Sequence, residues 1–159
     1  MRRSKILLVG NSGIGKSVCS DSLAVDARAA SMDKRFAGRD YPGLDESLDW
    51  ILNGSGEERV LSAFSHEDFI WDLARAKNQR DPRLKSLLIV FLYNTDPDSR
   101  LKRLDQSGRK EEAKRTPLAW DAQTNDLGRF MADLMINTAT MDKDEVASHV
   151  SAIRQNLTD

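Results

Sequence analysis

Residues 5–17 read Lys5-Ile6-Leu7-Leu8-Val9-Gly10-Asn11-Ser12-Gly13-Ile14-Gly15-Lys16-Ser17, an apolar run that passes directly into Gly-x4-Gly-Lys-Ser, the Walker A pattern. Few sequence features restrict a fold so strongly. A strand must deliver the loop and a helix must leave it, because backbone amides and the positive end of the helix have to converge on one anionic ligand. Glycines at positions 10, 13 and 15 remove the Cβ atoms that would obstruct inward-pointing amides. Lys16 has the reach to meet β- and γ-phosphate oxygens, and the Ser17 hydroxyl can fill one position around Mg2+. Gly10, Asn11, Ser12, Gly13, Ile14, Gly15, Lys16, Ser17 and Val18 therefore form the expected nucleotide-binding set, with Ser17 as the metal ligand.

The rest of the chain alternates apolar runs with helical stretches. A strand at Ile6–Val9 leads to a helix from Lys16 to about Arg28, and Ala30–Met32 reads as a short second strand ending at Asp33. Leu44–Leu52 has helical spacing and stops at Asn53-Gly54-Ser55-Gly56. A strand at Val60–Phe64 and a helix at Glu67–Lys77 follow, the helix broken before Asp81-Pro82. Leu87–Tyr93 is continuously apolar, as a central parallel strand should be. Asp96-Pro97 opens a helix through Leu104, with proline in its first turn. Leu118–Met131 is a further helix, Leu134–Asn137 a last short strand, and Asp142–Leu157 a closing amphipathic helix.

Strands separated by helices imply right-handed crossovers and a parallel sheet covered on both faces. The expected architecture is a three-layer α/β/α P-loop fold around a central parallel sheet of about five strands, in one domain spanning residues 1–159. Ligands of such sheets sit at the strands' carboxyl ends, which directs attention to Gly10–Ser17, Asp33–Arg39, Phe64–Asp68 and Asn94–Asp98.

A formal charge of −1 gives no general attraction to nucleic acid or to an anionic membrane, and stable binding to either is not expected. The single cysteine, Cys19, cannot form an internal disulfide, and its place on the first helix suits a packed thiol. The basic start is followed by only five apolar residues, a buried strand and not a signal peptide or membrane span. These features point to a cytoplasmic protein.

Two reaction classes fit a Walker loop, a small-molecule kinase and a nucleotide-dependent switch. Lys5–Ser17 resembles the phosphate loop of Ras-like GTPases, and Ile70-Trp71-Asp72-Leu73-Ala74 resembles their Trp-Asp-Thr-Ala-Gly segment. The glycine whose amide would meet the γ-phosphate is Arg75 here, however, and the guanine-reading Asn-Lys-x-Asp is absent. Asp72 also falls within a stretch that reads as helix. The absence of a guanine reader is the reason to expect ATP.

The stretch Leu88-Ile-Val-Phe-Leu-Tyr-Asn-Thr-Asp-Pro-Asp-Ser-Arg100-Leu-Lys-Arg103-Leu resembles the adenylate kinase-like group of shikimate, gluconate, dephospho-coenzyme A and nucleoside monophosphate kinases. In that group a buried strand leads to Asp-Pro, a helix ending in Arg-Leu and a basic lid. The resemblance implies a lid at about 105–120, with Arg103, Arg109 and Arg115 available to meet charge on the transferred phosphoryl group, and Arg115-Thr-Pro-Leu118 is similar to the Arg-Pro-Leu-Leu of shikimate kinases. Asp133–Val146 resembles the group's last strand, nucleotide-base loop and C-terminal helix. The likeness spans the chain in layout, while only the Walker loop and the Arg-rich segment are specific.

The acceptor side is read from Asp33, which stands near Arg35 and Arg39. The resembled kinases hold their acceptor with an Asp at this place, often with an Arg shortly after it. Asp33 is thus the expected base or anchor, an arginine the grip for an acidic acceptor. The candidate catalytic residues are Lys16, Asp33, Arg103 and Arg109, and the partners a nucleoside triphosphate and a small acceptor of undetermined identity. A switch or regulatory NTPase working through a protein partner stays open as the alternative, as does a kinase-like fold that binds nucleotide without transfer.

The chain departs from the group in two places. Where the resembled kinases carry glycines after their third strand, this chain has Phe64-Ser65-His66-Glu67-Asp68, in which Ser65 reads as a helix cap facing Asp68, with contact of His66 and Glu67 with substrate as the alternative. No clear Walker B carboxylate follows an apolar run, since the candidates are Asn94 and Asp96. Trp50 and Trp71 lie at helical spacing among apolar residues and are expected in the core, Trp120 at the end of the lid, and His149 on an exposed helix face. Tyr41-Pro42-Gly43 is a turn whose tyrosine is placed to line the acceptor pocket, and Asp40, Asp45 and Asp49 are expected to face solvent, with a cap on the following helix as the alternative for Asp45.

Overall fold

A computed structural model describes residues 5–10, 32–36, 40–55, 60–63, 67–96, 98, 102, 126–139 and 141–157. Its framework is a four-stranded, wholly parallel sheet of β1 (Lys5–Val9), β2 (Val60–Ser62), β3 (Leu87–Tyr93) and β4 (Leu134–Asn137), in the spatial order β2-β1-β3-β4. The register is set by Ile6 opposite Val60, Leu7 opposite Ile89, and Val90 opposite Leu134.

Alternation along each strand sorts the apolar side chains to two faces. Leu7, Val9, Leu61, Leu87, Ile89 and Phe91 pack on one face against α1 (Met32–Arg35), α2 (Leu44–Asp49) and α3 (Glu67–Asn78), through Phe36, Leu48, Phe69, Ile70 and Leu73. Ile6, Leu8, Val60, Leu88, Val90, Leu92 and Ile136 pack on the other, where Val146 and Val150 of α4 (Lys143–Leu157) close the core. Helices therefore cover both faces, an arrangement compatible with a three-layer α/β/α fold. The described sheet has four strands where the sequence pattern suggested about five.

Two expectations are corrected. Met32, read as the end of a strand, begins α1; it and Phe36 are one helical turn apart, both buried, and joined by an amide-to-carbonyl bond of 2.9 Å. Only this i, i+4 pair reveals the helix, and the alanines before Met32 mask it. Trp71 is not in the core but 43% exposed, because Phe69, Ile70, Leu73 and Ala74 define the inward stripe of α3 and Trp71 lies outside it. Asp45 faces solvent as expected, in the first turn of α2, and the alternative of a cap is not realised, since Gly43 holds the N-cap position at φ 99°, a left-handed conformation that suits glycine.

In the other described elements the reading and the structure agree closely, while the expected helix from Lys16 to about Arg28 and the lid at about 105–120 lie outside the described residues. The helical run from Leu44 extends to Gly54, its last part a π-helix from Trp50 to Gly54. Trp50 is buried, with its ring edge-to-face on Phe36 at 5.9 Å. Strand β2 ends at Ser62, and Phe64 lies outside the described residues. A helical segment at 126–131 crosses β3 so closely that a Cβ on Gly128 would sit 2.5 Å from the Phe91 ring.

At the amino edge of the sheet, polar side chains are used as fasteners. Lys5 Nζ donates to Ser55 Oγ, and that hydroxyl donates to the Ile51 carbonyl at 2.8 Å. Asp133 accepts from the Ile89 amide (2.8 Å) with one carboxylate oxygen and from Lys77 Nζ of α3 (3.1 Å) with the other. Arg83 forks onto Asp81 and reaches Asp45 at 2.8 Å, joining the turn before β3 to α2. This fork holds the Asp81 carboxyl below its ordinary range and the guanidinium above its own.

Candidate functional site

The topology singles out one crevice. From β1 the chain leads to β2 on one side, and from β3 it leads to β4 on the other. Adjacent parallel strands whose connections diverge leave a crevice outside their carboxyl ends, where open α/β sheets take ligands. Gly10 leaves β1 at this point and is buried, and Asn94 leaves β3. Val9 is level with Phe91, so Asn94 stands three residues past the last pair of these two strands.

The segments that leave β3 and β4 are built from short side-chain turns. Asn94 Oδ1 accepts from the Asp96 amide at 2.7 Å, and Asp96 Oδ1 accepts from the Asp98 amide at 3.1 Å, which turns the chain into helical conformation at Asp98 and Lys102. Asn137 Nδ2 donates to Thr95 Oγ1 at 3.2 Å, while its Oδ1 accepts from the Ala139 amide at 3.1 Å. The Thr138 amide and hydroxyl both donate to the Tyr93 carbonyl, at 2.8 and 3.2 Å. The segments following β3 and β4 are thereby fastened together.

One donor in these segments is left over. Asn94 is 6% exposed, and its Nδ2 is buried with no hydrogen-bond partner among the described residues. A buried donor in this condition costs about 1–3 kcal/mol.

Beside α3, Tyr41 donates its hydroxyl to Asp72 Oδ2 at 2.8 Å and sets its ring edge-to-face on Phe69 at 5.9 Å. Burial, then the Asp72 bond, then the charges of Asp72, Asp68 and Asp45 push this phenol far above its ordinary range. Tyr41 is thus a neutral donor at physiological pH and no general base. Asp72 lies within α3, with Arg75 Nη1 at 3.5 Å.

Of the residues singled out by sequence, the structure places Gly10 at the crevice. Asn11, Ser12, Gly13, Ile14, Gly15, Lys16, Ser17 and Val18 lie outside the described residues, as do Arg103, Arg109, Arg115, Trp120, Ser65 and His66. Asp33 belongs to α1 by its backbone, and its side chain lies outside the described set. His149 is exposed on α4. Among the described residues no three His, Cys, Asp or Glu side chains are placed to hold a metal, and no helix is long and apolar enough to cross a membrane. A groove along α4 is lined by Asp142, Asp144, Glu145 and His149, a lining whose carboxylates repel a phosphate chain.

Sequence reasoning did not find the leftover donor of Asn94 or the Tyr41–Asp72 bond. For Asn94 a signal was present, an amide directly after the longest apolar run. For Tyr41 and Asp72, 31 residues apart, no local pattern exists.

No family model and no curated protein matches this chain. Among solved structures, an uncharacterized protein from Eubacterium ventriosum is similar with a TM-score of 0.54, over 96% of this chain and 99% of that one, at 14% identity. This is a likeness of fold alone.

Proposed function

We propose that the chain is a P-loop phosphotransferase that moves the γ-phosphoryl group of ATP to a small metabolite or nucleotide. The observation that carries the reading is the coincidence of two independent features. The Gly-x4-Gly-Lys-Ser loop begins at Gly10, and Gly10 opens onto the crevice at which the described sheet reverses the direction of its connections.

In this reading the amides of residues 10–18 hold the phosphate chain, and Lys16 meets the β- and γ-phosphates. Ser17 would help hold Mg2+, which would supply charge neutralisation at the transferring group. Arg103 and Arg109 supply further positive charge and help exclude water, and Asp33 orients the acceptor hydroxyl or takes its proton. The place of Asp72 within α3, bonded to Tyr41, weighs against a role like that of the Asp in the Trp-Asp-Thr-Ala-Gly segment of Ras-like switches.

ADP release assayed across shikimate, gluconate, nucleosides, nucleoside monophosphates and dephospho-coenzyme A tests the proposal. Acceptor-dependent release from one of these supports it. Hydrolysis that ignores every acceptor and rises only with a protein partner overturns the kinase reading in favour of a regulatory NTPase.

A further inference from the structure

We propose that Asn53 is a modification site, at which the side-chain amide deamidates spontaneously and the resulting carboxylate loosens the end of the π-helix Trp50–Gly54. Asn53-Gly54 is the one Asn-Gly pair in the chain, and both residues are exposed. The step needs a bare, accessible neighbour: the Gly54 amide nitrogen attacks Asn53 Cγ, and no side chain on residue 54 shields that approach. The fold explains why glycine stands there. A Cβ on Gly54 would lie 2.8 Å from Trp50 Cδ1, and Trp50 is buried with its ring edge-to-face on Phe36. Packing of the Trp50 indole thus imposes the glycine that leaves Asn53 open to attack.

The chemistry closes with water alone. The Gly54 nitrogen bonds to Asn53 Cγ and gives up its proton; the Cγ–Nδ2 bond breaks, and the amide group leaves with that proton as ammonia. Water then opens the cyclic imide, at one carbonyl to an aspartate and at the other to an isoaspartate whose main chain runs through the former Cγ. Helical backbone keeps the Gly54 nitrogen from Cγ, so the reaction runs from the frayed terminal turn. Two contacts hold that turn shut. Asn53 Nδ2 donates to Asp49 Oδ1 at 3.0 Å, and Ser55 Oγ donates to the Ile51 carbonyl at 2.8 Å while accepting from Lys5 Nζ of β1. Conversion acts on the first directly, because it removes the donor and sets a new carboxylate against Asp49, like charges at i, i+4 on one helix face. The isoaspartate also lengthens the main chain shortly before Ser55, the residue through which Lys5 ties β1 to the helix end.

Incubation of the full chain at mildly alkaline pH, followed by peptide mapping with mass spectrometry, tests the proposal. Asn53 is expected to gain the mass of an amide-to-acid exchange before any other asparagine does, and the chain unfolded in urea supplies the rate of the unprotected pair. Asp49→Ala frees the amide from its acceptor and should speed conversion about two- to fivefold, the change that one hydrogen bond makes in an opening equilibrium. Asn53→Asp reads the consequence without waiting for the reaction. It should lower the melting temperature by about 1–3 °C in the parent chain and by clearly less in the D49A background. Asp49 and Asn53 are both exposed, so neither substitution reaches the core. Asn53 left intact in the folded chain after the urea-unfolded chain has converted overturns the site. Equal losses from N53D in the two backgrounds overturn the loosening through Asp49.

Discussion

The two ends of the sheet treat buried polar groups in opposite ways. At the amino edge Lys5, Ser55, Lys77, Asp81, Arg83 and Asp133 are engaged with one another or with the backbone, and the bonds of Lys5 and Asp133 tie strands β1 and β3 to their neighbours. At the carboxyl edge Asn94, Thr95, Asn137 and Thr138 fasten the segments that leave β3 and β4, yet the Asn94 donor has no partner among the described residues. On the proposed reading the two edges have different tasks, the amino edge holding the fold together and the carboxyl edge serving a ligand.

If that division is real, substitutions at the amino edge should lower stability and leave ligand affinity alone. The largest effect is expected for Asp133→Ala, which removes the partner of both the Ile89 amide and Lys77. Urea unfolding should show a loss of about 2–4 kcal/mol, with the Kd for Mg·ATP unchanged. A clear loss of Mg·ATP affinity in this variant would break the comparison. Gly128→Ala forces a methyl to within 2.5 Å of the Phe91 ring and should cost roughly 1–3 kcal/mol by the same measurement. A neutral result would mean that segment 126–131 is free to move off β3.

Thr138→Val deletes one hydroxyl bond to the Tyr93 carbonyl, whose amide bond from residue 138 remains. The expected loss is about 1 kcal/mol of stability, with a small weakening of Mg·ATP binding that sharpens the view of the carboxyl edge as ligand-facing. The smallest effect belongs to Asp81→Asn, since Arg83 is partly exposed. The folded-state pKa of Asp81 is depressed, so its contribution is present above the unfolded value of about 3.8 and disappears as pH falls through the folded value. Parent and D81N should therefore differ by a constant amount between pH 5 and 7 and converge below about pH 3.8.

Much of this architecture is legible in the residue order because parallel strands buried on two faces must be continuously apolar. Ile6–Val9 and Leu87–Tyr93 declare themselves in that way, and the closing helix by its amphipathic spacing. Elements shorter than a full period do not. The four residues of α1 hold one buried methionine, and the second half of its signal, Phe36, lies beyond the helix end. Trp71 misleads because a large apolar residue beside a buried stripe looks like part of it until the helix is placed on the sheet. Of the site, the phosphate-binding pattern is visible because its chemistry is local. The state of Asn94 is not, since an unsatisfied donor is a property of everything that surrounds it and β3 must first be set beside β1.

The central claim, that the crevice between the ends of β1 and β3 binds a nucleoside triphosphate, is tested most directly by calorimetric titration of Mg·ATP into the full chain and into Lys16→Ala. Saturable one-site binding by the parent chain, weakened about 100-fold or more in K16A, is the predicted result. Equal affinity in the two proteins, or no binding by the parent chain, would contradict it.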